Sequence, residues 1–168
     1  YPDFLSVAGT AGDFTPAVYS NYGGGTSISA PGGDQDYYYE YGEGYDMGLL
    51  GCILSTVPYH VSETGYGYME GTSMACPHVS GIAALVLSKY GNPNFSNETL
   101  RTQLVSSVND LYASDPSIKG LFGSGYIDAY KALQVSQGEA PAAVSTFKIT
   151  PSQDNVLMEW NVPDSKDK

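Results

Sequence analysis

Between Ser73 and Tyr90 the chain runs through eighteen residues that are nearly all small or apolar, among them Met74, Ala75, Val79, Ile82, Ala83, Ala84, Leu85, Val86 and Leu87. A helix that is apolar almost all round has no face to offer water and belongs inside a protein. The run therefore predicts a buried central helix, and whatever else the chain builds must surround it. Its punctuation agrees. Pro77 falls in the first turn, where a missing N–H costs little, and Gly91 and Pro93 close the run in the order expected of a helix end.

Shorter elements flank this helix. Phe4-Leu5-Ser6-Val7-Ala8-Gly9 reads as a buried strand ending in a turn, Ser20–Gly25 as a turn cluster, and Thr26–Ala30 as a brief strand stopped by Pro31-Gly32-Gly33. Leu49–Val57 is a further strand candidate. A second helix starts at Ser96 or Asn97, both good caps, and carries Leu100, Leu104 and Val108 at helical spacing. A third follows Gly123-Ser124-Gly125, with Ile127, Tyr130 and Leu133 on one face, and ends near Gln134. Strands followed by helices in this order indicate an α/β domain.

Charge narrows the function classes. The 168 residues carry 18 carboxylates against 7 basic side chains, a net charge of −11, and no Lys or Arg precedes Lys89. Such a surface repels polyanions and anionic membranes, which excludes nucleic acid as a partner. No run approaches the length of a membrane span. Tyr1 in place of Met predicts a processed piece or a fragment. Cys52 and Cys76 are too few for a disulfide scaffold or a four-ligand zinc site; one disulfide between them, or two buried thiols as the blander reading, remain.

The composition changes near residue 138. Residues 1–137 form the α/β part, Gly138–Ala142 reads as a linker, and residues 143–168 form a separate β segment. Ser145–Thr150 and Val156–Val162 alternate strictly around Pro151–Asn155, which predicts two antiparallel strands. They resemble the opening of a fibronectin type III domain, with Trp160 as its inward tryptophan. Such a sandwich needs roughly 100 residues, so this all-β tail is expected to be truncated.

The chemistry concentrates in Gly71-Thr72-Ser73-Met74-Ala75-Cys76-Pro77-His78-Val79-Ser80-Gly81. It sets a serine between a glycine turn and a helix start, where unpaired N–H groups and a partial positive charge favour an oxyanion. Taken alone, Ser73 would be read as an N-cap. Gly71 would allow close approach of another chain, and Gly81 tight packing of the helix on a neighbour.

The full string closely resembles the nucleophile signature of the subtilisin-like serine proteases, the subtilases. Phe4–Gly9, Tyr19-Ser20-Asn21-Tyr22-Gly23, Ala30-Pro31-Gly32, Ile53–Thr56 and Gly123-x-Gly-x-Ile127-Asp128-Ala129-x-x-Ala132-Leu133 are similar to further segments of that family, covering about residues 1–134. The resemblance implies part of a largely parallel, three-layer sheet flanked by helices. It implies peptide-bond hydrolysis through an acyl-enzyme, with Ser73 as nucleophile and its own N–H on the oxyanion, supported by Thr72. No cofactor is required for that chemistry. It also implies protein or peptide substrates and a secreted or cell-envelope location.

The family's Asp and His motifs and its oxyanion Asn have no match here. Residues 1–137 are therefore expected to be the C-terminal part of a peptidase domain that lacks its N-terminal half and is inactive alone. His78 lies five positions after Ser73, about 140° around a helix, and suits a packing or hydrogen-bonding part. His60 sits in the loop before the serine. Asp34, Asp36, Glu40, Glu43 and Asp46, interleaved with five tyrosines in an expected surface loop, are hard oxygen ligands. Structural calcium is a family property that finds no definite place here, and the bland reading is a solvated loop. Asn94 and Asn97 open glycosylation sequons but suit helix capping equally. The alternatives to a peptidase are a non-catalytic binding or structural module and, third, an ester-cleaving serine hydrolase.

Overall fold

A computed structural model describes residues 4–36 and 49–134 together with two strands in residues 147–160. The backbone divides into two units, Tyr1–Val135 and Ser136–Lys168. In the first, strands β1 (Val7–Thr10) and β2 (Ile28–Pro31) pair in parallel, Val7 opposite Ile28 and Thr10 opposite Pro31. Two further strands, β3 (Ile53–Thr56) and β4 (Tyr66–Met69), form a hairpin of their own. Helices α1 (Thr72–Tyr90) and α2 (Asn97–Ser106) follow, then β5 (Val108–Asn109), β6 (Tyr126–Ile127) and α3 (Ala129–Gln134). The four-stranded sheet runs β1-β2-β6-β5, parallel at its first two pairings and antiparallel at the last.

Side chains alternate across this sheet as a two-residue period requires. Ile28, Ala30 and Ile127 point to one face and meet Ala75, Val79 and Val86 of α1, Leu104 of α2 and Ala132 of α3. Ala8 and Tyr126 point to the other, where Leu111, Tyr112, Ile118, Leu121 and Phe122 cover them. Among the described residues the three α-helices thus lie on one face only. The opposite face is closed by the irregular segment 110–122, tied down by Ser29 Oγ donating to the Phe122 carbonyl at 2.7 Å.

The structure corrects several expectations. Helix α1 is not buried all round: Ala75, Val79 and Val86 form one buried stripe, while Leu85 and Leu87 on other faces are 51% and 44% exposed. The sheet, α2 and α3 together cover only the side of the helix that faces them. A Cβ at Gly81 would meet nothing within 4 Å, so among the described residues this glycine serves no tight packing. Residues 49–51 form a 3-10 turn rather than the start of a strand. The strand leading into the serine is β4, with β3 only its hairpin partner. Val108 and Ile127 belong to strands, not helices, and Tyr130 is 72% exposed. Capping went as expected at α2, where Ser96 accepts from Thr99 N at 3.1 Å.

In the second unit, β7 (Phe147–Pro151) and β8 (Val156–Trp160) pair antiparallel, Phe147 opposite Trp160 and Pro151 opposite Val156. The linker 138–142, and residues 37–48 with Glu40, Glu43 and Asp46, lie outside the described residues. Among the described residues no helix is long and apolar enough to cross a membrane.

Two glycines give opposite expectations. Gly123 has φ 81°, and a Cβ there would sit 2.4 Å from Ile28 N. Gly123→Ala should therefore destabilise by about 2–4 kcal/mol. Gly81→Ala, in open space within a helix, should stabilise by about 0.5–1 kcal/mol. Urea denaturation of the two variants beside the parent chain measures both.

Asp128 supplies a pH prediction. It accepts from Lys131 N at 3.0 Å and from Asn109 Nδ2 at 2.8 Å, and these bonds hold its carboxyl below the usual 3.8. A depressed folded pKa gives stability that is complete above the unfolded value and lost as pH falls through the folded one. Acid unfolding should thus steepen below about pH 4, and Asp128→Asn should flatten that limb in a pH series of thermal melts.

Candidate active site

Strand β4 feeds straight into the turn that carries the serine. Gly71 is the N-cap of α1 with φ 140° and ψ 162°, a conformation closed to L side chains. Its carbonyl accepts from Met74 N at 2.9 Å and its N–H donates to the Gly32 carbonyl at 2.9 Å. The helix begins at Thr72, so Ser73 is its second residue. No side chain caps this end, and the reading of Ser73 as an N-cap fails because Gly71 takes that place. The Ser73 hydroxyl is exposed and uncommitted, and the N–H groups of Thr72 and Ser73 are among those a helix leaves without an internal acceptor.

Ser73 opens into a cavity of about 640 Å³ lined also by Leu5 and Val7 of the β1 edge and by Thr72, Cys76, Pro77 and Ser80 of α1. A second cavity, of about 400 Å³, shares Val7 and Thr72 with the first and is bounded further by Ser6, Asn21, Tyr22, Gly25 and Thr26. Neither histidine reaches the serine. His78 Nδ1 donates to the Met74 carbonyl at 2.8 Å, and its ring lines a different cavity, with Met74, Pro77 and the β3 residues Ile53–Ser55. His60 lies in the connection between β3 and β4, beyond the Thr56–Tyr66 pair. That pair is three steps, about 10 Å, from the Ile53–Met69 pair beside the nucleophile turn.

Sequence reading gave no such part to the residues that hold this turn. Tyr19 Oη donates to the Gly33 carbonyl at 2.6 Å and accepts from Gly71 N at 3.0 Å. Burial pushes its phenol up to about 12, against the lowering effect of the Gly71 bond and helped by the carboxylates of Glu70 and Asp34. Glu70 Oε2 accepts from Gln35 N at 2.5 Å. Asp34, fully buried, accepts from Val18 N at 2.8 Å. Among the described residues no three His, Cys, Asp or Glu side chains are grouped to hold a metal ion. The only signal in the sequence was the Tyr19–Gly23 string itself, read as a turn.

The cysteines are free thiols, as the blander expectation had them, but outside the core. They are not joined in a disulfide, and neither is buried: Cys52 is half-buried and Cys76 is exposed beside Ser73.

A sheet with a parallel β1-β2 pair, a helix packed across its face and an exposed serine in that helix's first turn are the features against which relatives can be compared. The subtilase family model (peptidase S8) matches residues 1–125, and the chain belongs to that family. It is 35% identical over 132 residues to alkaline elastase YaB from a Bacillus species, covering 79% of this chain and 27% of the relative. It is 33% identical over 141 residues to the extracellular basic protease of Dichelobacter nodosus, covering 80% of this chain and 20% of that protein. Among solved structures, the epidermin leader peptide processing serine protease of Staphylococcus aureus superposes with a TM-score of 0.63 at 28% identity, over 81% of this chain and 31% of that one. The chain thus spans about a quarter of the length of these curated relatives.

Thiol titration checks the cysteine geometry. Cys76 should react with a disulfide reagent at once, as an exposed thiol does. Cys52 should lag, because burial, followed by the charges of Glu70 and Asp34, raises its pKa and lowers its thiolate fraction. Two thiols at two rates is the expected trace; no thiol before reduction would mean a disulfide.

Proposed function

We propose that this chain is the nucleophile-bearing part of a subtilisin-like serine endopeptidase, with Ser73 attacking the scissile carbonyl. The observation that carries the reading is a serine hydroxyl, exposed and free of capping, at the second position of a helix whose first N–H groups are unspent. As the hydroxyl adds to the carbonyl, the oxygen that gains charge lies near the Ser73 N–H, with the Thr72 side supporting it. The acyl-enzyme is then released by water. A serine needs a base to take its proton, and His60 and His78 are both placed elsewhere. The Asp, the His and the oxyanion Asn are therefore supplied by residues outside these 168, and the chain alone is inactive.

Peptides and proteins are the substrate class. The extracellular name of the D. nodosus relative supports a location outside the cytoplasm. The paired strands β7 and β8, with the alternation of their sequence, support a fibronectin type III-like module continuing from the peptidase part.

The misplaced histidines also favour one competing reading, a non-catalytic module built on the same fold. Fluorophosphonate labelling decides. The 168-residue chain should not label. The longer protein that contains it should label and cleave casein, and Ser73→Ala should abolish labelling and cut kcat by at least about a thousandfold. A longer protein that carries the missing histidine yet neither labels nor cleaves would mean a binding or structural module.

A further inference from the structure

The hydroxyl of Tyr19 occupies a place that three backbone segments leave open for it. A Cβ on Gly32 would lie 2.5 Å from Tyr19 Oη, and one on Gly9 would lie 3.1 Å from it. The strand end of β1 and the segment after β2 are thus both glycine where the phenol passes. The oxygen is used in both senses, as donor to the Gly33 carbonyl and as acceptor from the Gly71 N–H. Gly71 N also donates to the Gly32 carbonyl, so the two segments meet through one shared hydrogen and one bridging hydroxyl. Gly71 is two residues from Ser73, and its φ of 140° is a conformation open to glycine.

We propose that Tyr19 is a positioning residue for the nucleophile: its hydroxyl clamps the Gly71 turn onto the Gly32-Gly33 strand end and so fixes where the Ser73 hydroxyl and N–H point. This deepens the peptidase reading and rests on it. Tyr19 touches no reacting atom; it acts through Gly71. Removing only the oxygen leaves the ring in place, takes the donor from the Gly33 carbonyl and leaves Gly71 N one acceptor fewer. The turn then samples orientations in which Ser73 is misaimed, which slows the chemical step without altering how substrate is held.

Tyr19→Phe tests this in two proteins. In the 168-residue chain, amide hydrogen exchange followed by NMR should show Gly71 exchanging roughly tenfold faster, with the amides of Val79 and Val86 unchanged and the same melting temperature. In the longer active protein, kcat should fall roughly tenfold with KM within about twofold and the same fraction of active sites titrated. Unchanged exchange at Gly71 together with unchanged kcat overturns the proposal. Faster exchange at every amide with a lowered melting temperature, or kcat falling only in step with the titrated fraction, also overturns it, since Tyr19 would then be a stability residue alone. If the longer protein proves inactive but Gly71 exchange responds as expected, the clamp stands and the peptidase reading fails.

Discussion

The described unit depends on one packed seam, where the stripe Ala75–Val79–Val86 of α1 lies on Ile28 and Ala30 of the parallel pair β1-β2. These residues are all essentially removed from water. A parallel pair cannot close through a tight turn and needs a crossover and a covering layer, and α1 is that layer. Because the helix is anchored along its stripe, its N-terminal end is brought beside the C-terminal ends of β1 and β2. The N-cap can then reach Gly32. The same seam therefore also brings the serine to the strand ends, where an α/β sheet keeps its open crevice.

Around the serine the structure relies on backbone and on a few buried polar atoms. Gly71 is held by the Gly32 carbonyl and the Tyr19 hydroxyl, while Glu70 and Asp34 secure the backbone of Gln35 and Val18. Each bond joins the segment after β2 or the Tyr19 turn to another part of the site. They leave the Ser73 side chain itself uncommitted, which suits a nucleophile whose hydrogen-bond partner must be a base. The first helical N–H groups stay unspent for the same reason. A side chain capping that end would have competed with the oxyanion.

The motif was legible through its resemblance to a family signature, since on local types alone Ser73 reads as a helix cap; the helix itself was legible from proline in the first turn and glycine and proline at the far end. The two-residue alternation of β7 and β8 was legible for a similar reason. The buried stripe of α1 was not. A run apolar on every side has no amphipathic moment, so nothing in the sequence says which third of the helix meets the sheet. Strand β4 was hidden by its tyrosines and glycines, and its pairing with β3 depends on a partner ten and more residues away. Val108 and Ile127 fit helical spacing by coincidence, and tertiary pairing between β5 and β6 outweighed it.

By itself the sequence determined the family, the helix that carries Ser73 and the acidic charge balance. These follow from local types and order, which a linear chain states directly. Only the tertiary structure decided that Gly71 and not Ser73 caps the helix, that neither histidine faces the serine, that both cysteines stand as thiols outside the core, and that Tyr19 grips the turn from 52 residues away. Those facts are distances between segments far apart in the chain. They are fixed by how the helix stripe settles on the sheet, and no spacing along the sequence encodes them.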